Sequence, residues 1–170
     1  MSGAGLTEVE TYSRIFNSGL EAQYDRGLLT TDEFLAALRA QLSLAANDEQ
    51  IADAWSDIFS PNEAVIAALP ELHLRHRLVL ASNTNELHAR QFRRRFPEAL
   101  THFDALVLSH EVGFRKPDGE FFARCVEAAG CAASQCLFID DKPEFVEAAR
   151  KLGLQGLVYT PTIDLLTATL

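Results

Sequence analysis

The chain has 170 residues, 48% of them hydrophobic, a net charge of −9 and a pI near 5.0. That is enough apolar material for one packed core and argues against disorder, while the acidity argues against nucleic acid or an anionic membrane as the main partner. No apolar stretch approaches the roughly 20 residues a membrane span needs, and Met-Ser-Gly-Ala-Gly leads into polar sequence, not an apolar signal core, so a cytoplasmic protein is expected.

The first part, to about Leu72, reads as helix throughout. Thr7 and Glu10 form a capping-box pattern ahead of Tyr12, Ile15, Phe16 and Leu20, which share one face at helical spacing. Asp25-Arg26-Gly27 breaks that pattern. Thr30 and Glu33 open a second helix with Phe34, Leu35, Leu38 and Leu42 on its apolar stripe. Asn47 and Gln50 cap a third, carrying Ile51, Ala54, Trp55, Ile58 and Phe59. Ser60-Pro61-Asn62-Glu63 predicts a capping box with proline at the first helical position, starting a helix through Val65, Ile66 and Leu69.

From there strands and helices alternate. Short apolar runs at Leu78–Ala81, Ala105–Leu108, Leu137–Ile139 and Leu157–Tyr159 are separated by helical segments near Glu86–Phe96, Glu120–Ala129 and Pro143–Leu152, the last ended by Gly153. Continuous apolar strands linked by helices predict a parallel α/β sheet covered on both faces. Arg90, Arg93, Arg94 and Arg95 fall on one helix and read as a solvated face. Cys125, Cys131 and Cys136 lack C-x-x-C spacing and are odd in number, so buried thiols are expected and neither a disulfide framework nor a zinc site.

Chemistry collects where the strands end. The run at Leu78–Ala81 opens into Ser82-Asn83-Thr84-Asn85 just before a helix; this suits a phosphate cradle as well as it suits ordinary capping by Thr84 or Asn85. After Ala105–Leu108 comes Ser109-His110-Glu111-Val112-Gly113-Phe114-Arg115-Lys116-Pro117-Asp118. Pro117 restricts the backbone of Lys116, and a lysine near a strand end can meet a phosphoryl group as a point charge. The apolar run Cys136–Ile139 stops at Asp140-Asp141. Two adjacent carboxylates at a strand end repel unless one is protonated or a cation lies between them, so the pair reads first as a divalent-metal site. His88, His110 and Arg115 read as structural or solvent-facing, and Trp55 as core.

Ser82 in L-V-L-A-S-N-T-N, Lys116 in G-F-R-K-P-D and Asp140-Asp141 in L-F-I-D-D, in this order, resemble the second, third and fourth motifs of the haloacid dehalogenase superfamily of aspartate-dependent phosphohydrolases. S-N-T-N-E-L-H, S-H-E-V-G-F-R-K-P-D and Y-D-R-G-L-L-T-T-D-E-F are most similar to its sugar-phosphatase-like branch, such as bacterial α-glucose-1-phosphate phosphatase. The resemblance implies a Rossmann-like core over residues 61–170 and a small helical cap over residues 1–60, and a phosphorylated metabolite as substrate. It implies that Ser82, with the backbone of Asn83, binds a phosphoryl oxygen. Lys116 would hold nucleophile and phosphoryl group together, and Asp140 and Asp141 would hold Mg²⁺. The acidic pair favours phosphate esters over carbon–halogen substrates.

One departure limits the likeness. The family's first motif, D-x-D at the end of a central first strand, is absent from the 170 residues. Glu8-Val9-Glu10 imitates the spacing, but Glu10 is the capping partner of Thr7, and Met1 to Leu6 are too polar and glycine-rich for a central strand. In the family that strand lies between the strands ending at Ser82 and Asp140. Without it two buried edges would face a gap, at about 1–3 kcal/mol per unsatisfied group. The expectations are therefore a truncated form of a Mg²⁺-dependent phosphatase, inactive as given; a non-catalytic relative that keeps metal and phosphate binding for a regulatory or assembly role; or, least favoured, a haloacid dehalogenase. An open edge also favours association with another chain.

Overall fold

A computed structural model describes residues 7–168 of the chain; the expectation about Met1 to Leu6 lies outside the described residues. In chain order the elements are α1 (Glu8–Tyr12), continued by a π-helical turn at Ser13–Asn17, then α2 (Leu20–Asp25), α3 (Thr31–Leu42), α4 (Asp48–Ser56), α5 (Glu63–Arg75) and β1 (Val79–Ser82). There follow α6 (Glu86–Arg95), α7 (Pro97–Leu100), β2 (Ala105–Leu108), α8 (Ser109–Val112) and α9 (Gly119–Ala129). The last are β3 (Leu137–Asp140), α10 (Pro143–Lys151), β4 (Gln155–Val158) and α11 (Leu165–Ala168).

Three of the four expected capping boxes form: Thr7 with Glu10, Thr30 with Glu33, and Asn47 with Gln50. Each satisfies two helix-end donors within four residues of chain, so local sequence decides it. The fourth does not form. α5 is capped by Asn62, whose Oδ1 accepts the Val65 N–H at 3.3 Å, and it runs on past Pro70 to Arg75. Asn62 is as good a cap as Ser60 and stands nearer the apolar stripe, so the helix starts there. Ile58, expected on the third helix's stripe, lies beyond the end of α4 and is exposed.

The helices before β1 gather their own core of Ile15, Leu20, Tyr24, Phe34, Leu35, Leu38, Leu42 and Ile51, joined by Leu87 of α6. Tyr24 and Phe34 stack with centroids 4.1 Å apart, and both are almost fully buried. Gly27 locks this part onto α8. Its φ is +66°, and a Cβ there would stand 2.3 Å from the His110 carbonyl oxygen. Gly27→Ala thus combines a left-handed backbone with a main-chain clash and should cost about 2–4 kcal/mol in urea unfolding. An unchanged midpoint would mean that α2 and α8 separate freely.

The strands are parallel, as expected, but they form two pairs instead of one sheet. β1 pairs with β2 from Val79↔Ala105 to Ser82↔Leu108, and β3 with β4 from Leu137↔Gln155 to Asp140↔Val158. Among the described residues no ladder joins β1 to β3. Helices cover both faces. Leu80, Leu106 and Leu108 pack with Ala89 and Phe92 of α6, and Leu78 and Ile139 with Ala68 and Leu72 of α5 and Leu165 of α11. On the other face Val79 and Val107 meet Phe121 of α9, and Phe138 meets Phe122 of α9 and Val146 and Ala149 of α10. A cavity of about 1130 Å³ lies between the pairs, lined by Leu78–Ala81 on one side and Leu137–Asp140 on the other.

The basic residues of α6 lie on an exposed, paired face: Arg90 with Glu86, Arg93 with Glu111, and Arg95 with Asp57. The three cysteines are free, as expected. Only Cys125 is buried, however, while Cys131 is exposed at the chain's turn toward β3, its Sγ 3.5 Å from that of Cys136.

Candidate active site at the carboxyl ends of the strands

β1 ends at Ser82 and β3 at Asp140, and the two strand ends meet at one side chain. Lys116 joins them. Its ammonium donates to the Ala81 carbonyl oxygen at 3.1 Å and to Asp140 Oδ2 at 2.6 Å, so one side chain spans from the first strand pair to the second. Both side chains of the pair are 9% exposed. The amine also lies 5.7 Å from the Phe138 ring centroid and 5.3 Å from that of Phe145, within cation–π range. An ammonium has three protons. Two are committed, which leaves one for an anionic oxygen.

The lysine is held from behind by Asn83. The Asn83 side-chain Oδ1 accepts the Lys116 N–H at 2.7 Å, and its Nδ2 donates to the Lys116 carbonyl at 3.0 Å. Sequence reasoning gave Asn83 a backbone role toward phosphate; the side chain's grip on a backbone 33 residues away had no signature in the spacing. The Lys116–Pro117 peptide is cis. Ser82 is half-buried, and its hydroxyl makes one long contact, 3.5 Å, to the Asn83 carbonyl. It is available to another partner at no great loss.

Thr84 and Asn85 divide the tasks left open between them. Asn85 caps α6, accepting the His88 N–H at 3.1 Å. Thr84 is buried, its N–H donating to Ser109 Oγ at 2.8 Å while the Ser109 hydroxyl donates back to the Thr84 carbonyl at 2.7 Å. The Thr84 hydroxyl itself has no hydrogen-bond partner among the described residues. His88 is structural, as expected: one ring nitrogen lies 2.9 Å from the Trp55 carbonyl oxygen, the other 3.1 Å from Asn85 Nδ2, and the ring stacks on Trp55. Burial holds its pKa below the usual imidazole value.

The two acids of the pair differ. Asp140 is closed in by Lys116, and its Oδ1 accepts the Lys142 N–H at 2.9 Å. Asp141 is exposed, and its carboxylate has no partner among the described residues. Two carboxylates of hard oxygen donors suit a magnesium ion that keeps several waters. Among the described residues no cluster of three acids, histidines or cysteines is assembled for a metal. The residues fit the ion only as part of a set that water or a bound phosphate completes.

A second polar cluster beneath the cradle escaped sequence reasoning as a site. Asp25, 4% exposed, accepts from Asn85 Nδ2 at 3.0 Å and lies 3.5 Å from the Arg115 guanidinium, which also reaches Glu21 at 3.4 Å. Arg26 of the same turn pairs with Asp118. Asp118 stands at the start of α9, yet its side chain does not cap that helix; it serves Arg26 and the Arg115 N–H instead. Burial, then the neighbouring Glu21 charge, raises the Asp25 pKa from its ordinary 3.8 to about 6. An acid with a raised folded-state pKa binds more protons when folded between about pH 4 and 6, so stability falls as pH rises through that window. Asp25→Asn should therefore raise the unfolding free energy by up to about 3 kcal/mol at pH 8 and change it little at pH 4. Equal effects at both pH values would refute the assignment.

Comparison with known proteins places these features. The family described as haloacid dehalogenase-like hydrolase matches residues 7–153. The chain is similar to the sesquiterpene phosphatase astK of Aspergillus oryzae, 29% identical over 153 residues that are 88% of this chain and 76% of that protein. It is also similar to the D-ribitol-5-phosphate phosphatase of Bacteroides thetaiotaomicron, 25% identical over 160 residues, 89% of this chain and 77% of the relative. In fold it matches a HAD family enzyme of Bacteroides thetaiotaomicron with a TM-score of 0.81 at 23% identity, covering 99% of this chain and 94% of the other. A mutant of that enzyme, solved in complex with magnesium and inorganic phosphate, matches with a TM-score of 0.78 at 25% identity, covering 96% and 92%.

Proposed function

We propose, on the premise that the chain belongs to the haloacid dehalogenase-like hydrolase family, that it carries the phosphate-binding and metal-binding half of a phosphatase for a small phosphorylated metabolite such as a sugar phosphate. The observation that supports this best is the Lys116 ammonium, bound to β1 and to Asp140 with one proton to spare. A buried cation with a free donor, flanked by the loosely held Ser82 hydroxyl, suits a phosphoryl group better than a carbon–halogen substrate. The relatives named above as phosphatases agree with that choice.

In this reading the Ser82 hydroxyl donates to a phosphoryl oxygen, Lys116 offsets charge between the phosphoryl group and a reacting carboxylate, and Asn83 keeps the lysine backbone in place. Asp140 and Asp141 would hold Mg²⁺, which when bound neutralises phosphoryl charge. None of the 170 residues is assigned as the reacting carboxylate of an aspartyl-phosphate mechanism, because they contain no D-x-D. Among the described residues, α1 to α4 serve as the helical cap over the core that begins with α5, and select the substrate.

A second reading, a non-catalytic relative that binds phosphate and metal for a regulatory or assembly role, is favoured by the same missing motif. The test common to both is phosphate release from small sugar phosphates with Mg²⁺ by the chain as given. No release above that of Lys116→Met is expected. Release abolished by Asp140→Ala would put the reacting group inside these residues and overturn the assignment of the nucleophile.

A further inference from the structure

Cys131 and Cys136 flank the 3₁₀ turn Ala133–Gln135, which carries the chain from α9 into β3. We propose that the two thiols are a modification site, closed by a hydroperoxide into a disulfide within one chain and reopened by a thiol reductant.

The turn brings the sulfurs together. The Gln135 N–H donates to the Ala132 carbonyl at 2.9 Å and the Cys136 N–H to the Ala133 carbonyl at 3.0 Å. The Ala132 N–H donates to Gln135 Oε1 at 3.2 Å, and Gln155 of β4 braces the turn from outside, its Nε2 donating to the Ser134 carbonyl at 3.0 Å. The chain folds back within this short loop, and Cys131 Sγ lies 3.5 Å from Cys136 Sγ. A disulfide needs about 2.05 Å, so the sulfurs must approach by about 1.5 Å. Cys131 stands outside any helix or strand, where no ladder resists that movement.

The two thiols divide the work. Cys131 is exposed and meets the oxidant first, while Cys136 is half-buried. Burial, then the hydrogen bond with Cys131, pushes the Cys136 thiol up to about 11, so it keeps its proton at neutral pH. That proton points to the Ala132 carbonyl, 3.6 Å from the sulfur, which leaves a lone pair facing Cys131. The Cys131 thiolate attacks the peroxide, the O–O bond breaks, and the sulfur becomes a sulfenic acid as hydroxide leaves. Cys136 Sγ then attacks the Cys131 sulfur, the S–O bond breaks, and the Cys136 proton departs with the hydroxyl as water. Two electrons pass from the thiols to the peroxide, and their closeness makes the second step intramolecular.

Other uses of the pair fit less well. A structural zinc ion takes four ligands, and among the described residues no third histidine, cysteine or acid joins these two sulfurs. The remaining thiol, Cys125, is 8% exposed and packed with Val107 and Phe121, out of an oxidant's way.

The site is independent of the phosphatase reading, and its test avoids turnover. The full chain is treated with a small excess of hydrogen peroxide, unfolded, and its thiols titrated. Free thiols should fall from three to one, and dithiothreitol should restore all three. Peptide mass spectrometry should find Cys131 joined to Cys136 with the two thiol hydrogens lost. Cys136→Ser should leave Cys131 as a sulfenic acid that dimedone traps, Cys131→Ser should keep both remaining thiols, and Cys125→Ser should close the bond as the parent does. The proposal is overturned by three thiols surviving peroxide, by a bond between two molecules, by oxidation that dithiothreitol does not reverse, or by dimedone trapping of Cys136 in Cys131→Ser. Failure of phosphate release would leave these results untouched, and the reverse is also true.

Discussion

Lys116→Met should lower the unfolding free energy by about 3–5 kcal/mol at neutral pH, because it leaves Asp140 buried without its countercharge. The two side chains are 9% exposed, and the 2.6 Å contact leaves no room for water between them. Part of the lost lysine packing against Phe138 and Phe145 is restored by the methionine, which isolates the charge effect. The double substitution Lys116→Met, Asp140→Asn removes the stranded charge while keeping an acceptor for the Lys142 N–H. It should recover most of the loss, since deleting both members of a buried pair is far milder than deleting one. Urea unfolding of the two variants beside the parent decides this. A single variant as stable as the parent would mean that the pair opens to solvent and that Lys116 does not tie β1 to β3.

Asp141→Asn should do the opposite: stability stays within about 0.5 kcal/mol, as for other exposed side chains without partners, while Mg²⁺ affinity falls at least about tenfold, or 1.4 kcal/mol. The separation follows from position. Asp141 is exposed and has no partner among the described residues, so its carboxylate has no task in the fold, whereas Asp140 is already neutralised by Lys116. Asp140→Asn should disturb metal binding and stability together. Titration calorimetry with MgCl₂ on both variants reads the affinities. Unchanged Mg²⁺ affinity in Asp141→Asn would remove that residue from the metal site.

What could be read from the sequence was what adjacent residues decide. Thr7, Thr30 and Asn47 announced their helices because donor and acceptor lie three residues apart. The strand ends carrying Ser82 and Asp140 were visible because an apolar run stops abruptly at a polar group. Ser60 misled because a second cap, Asn62, competed within the same four residues. Long-range partnerships left no trace. Asn83 grips a backbone 33 residues ahead, Asn85 meets Asp25 across 60, and Arg26 meets Asp118 across 92. Each of these residues had an adequate local explanation, as a cap or a surface charge, and their partners come within reach only through the tertiary packing. The cut between β1 and β3 was readable in outline from the missing first motif. That the two pairs stay apart, bridged by one lysine, was not.

The central claim is that Lys116, bridging β1 and Asp140, makes this strand end a phosphate site. Calorimetric titration of the chain with inorganic phosphate at saturating Mg²⁺ tests it most directly. One site is predicted, weakened when Mg²⁺ is omitted and absent in Lys116→Met. Phosphate binding that persists undiminished in Lys116→Met, or no binding by the parent chain, would contradict it.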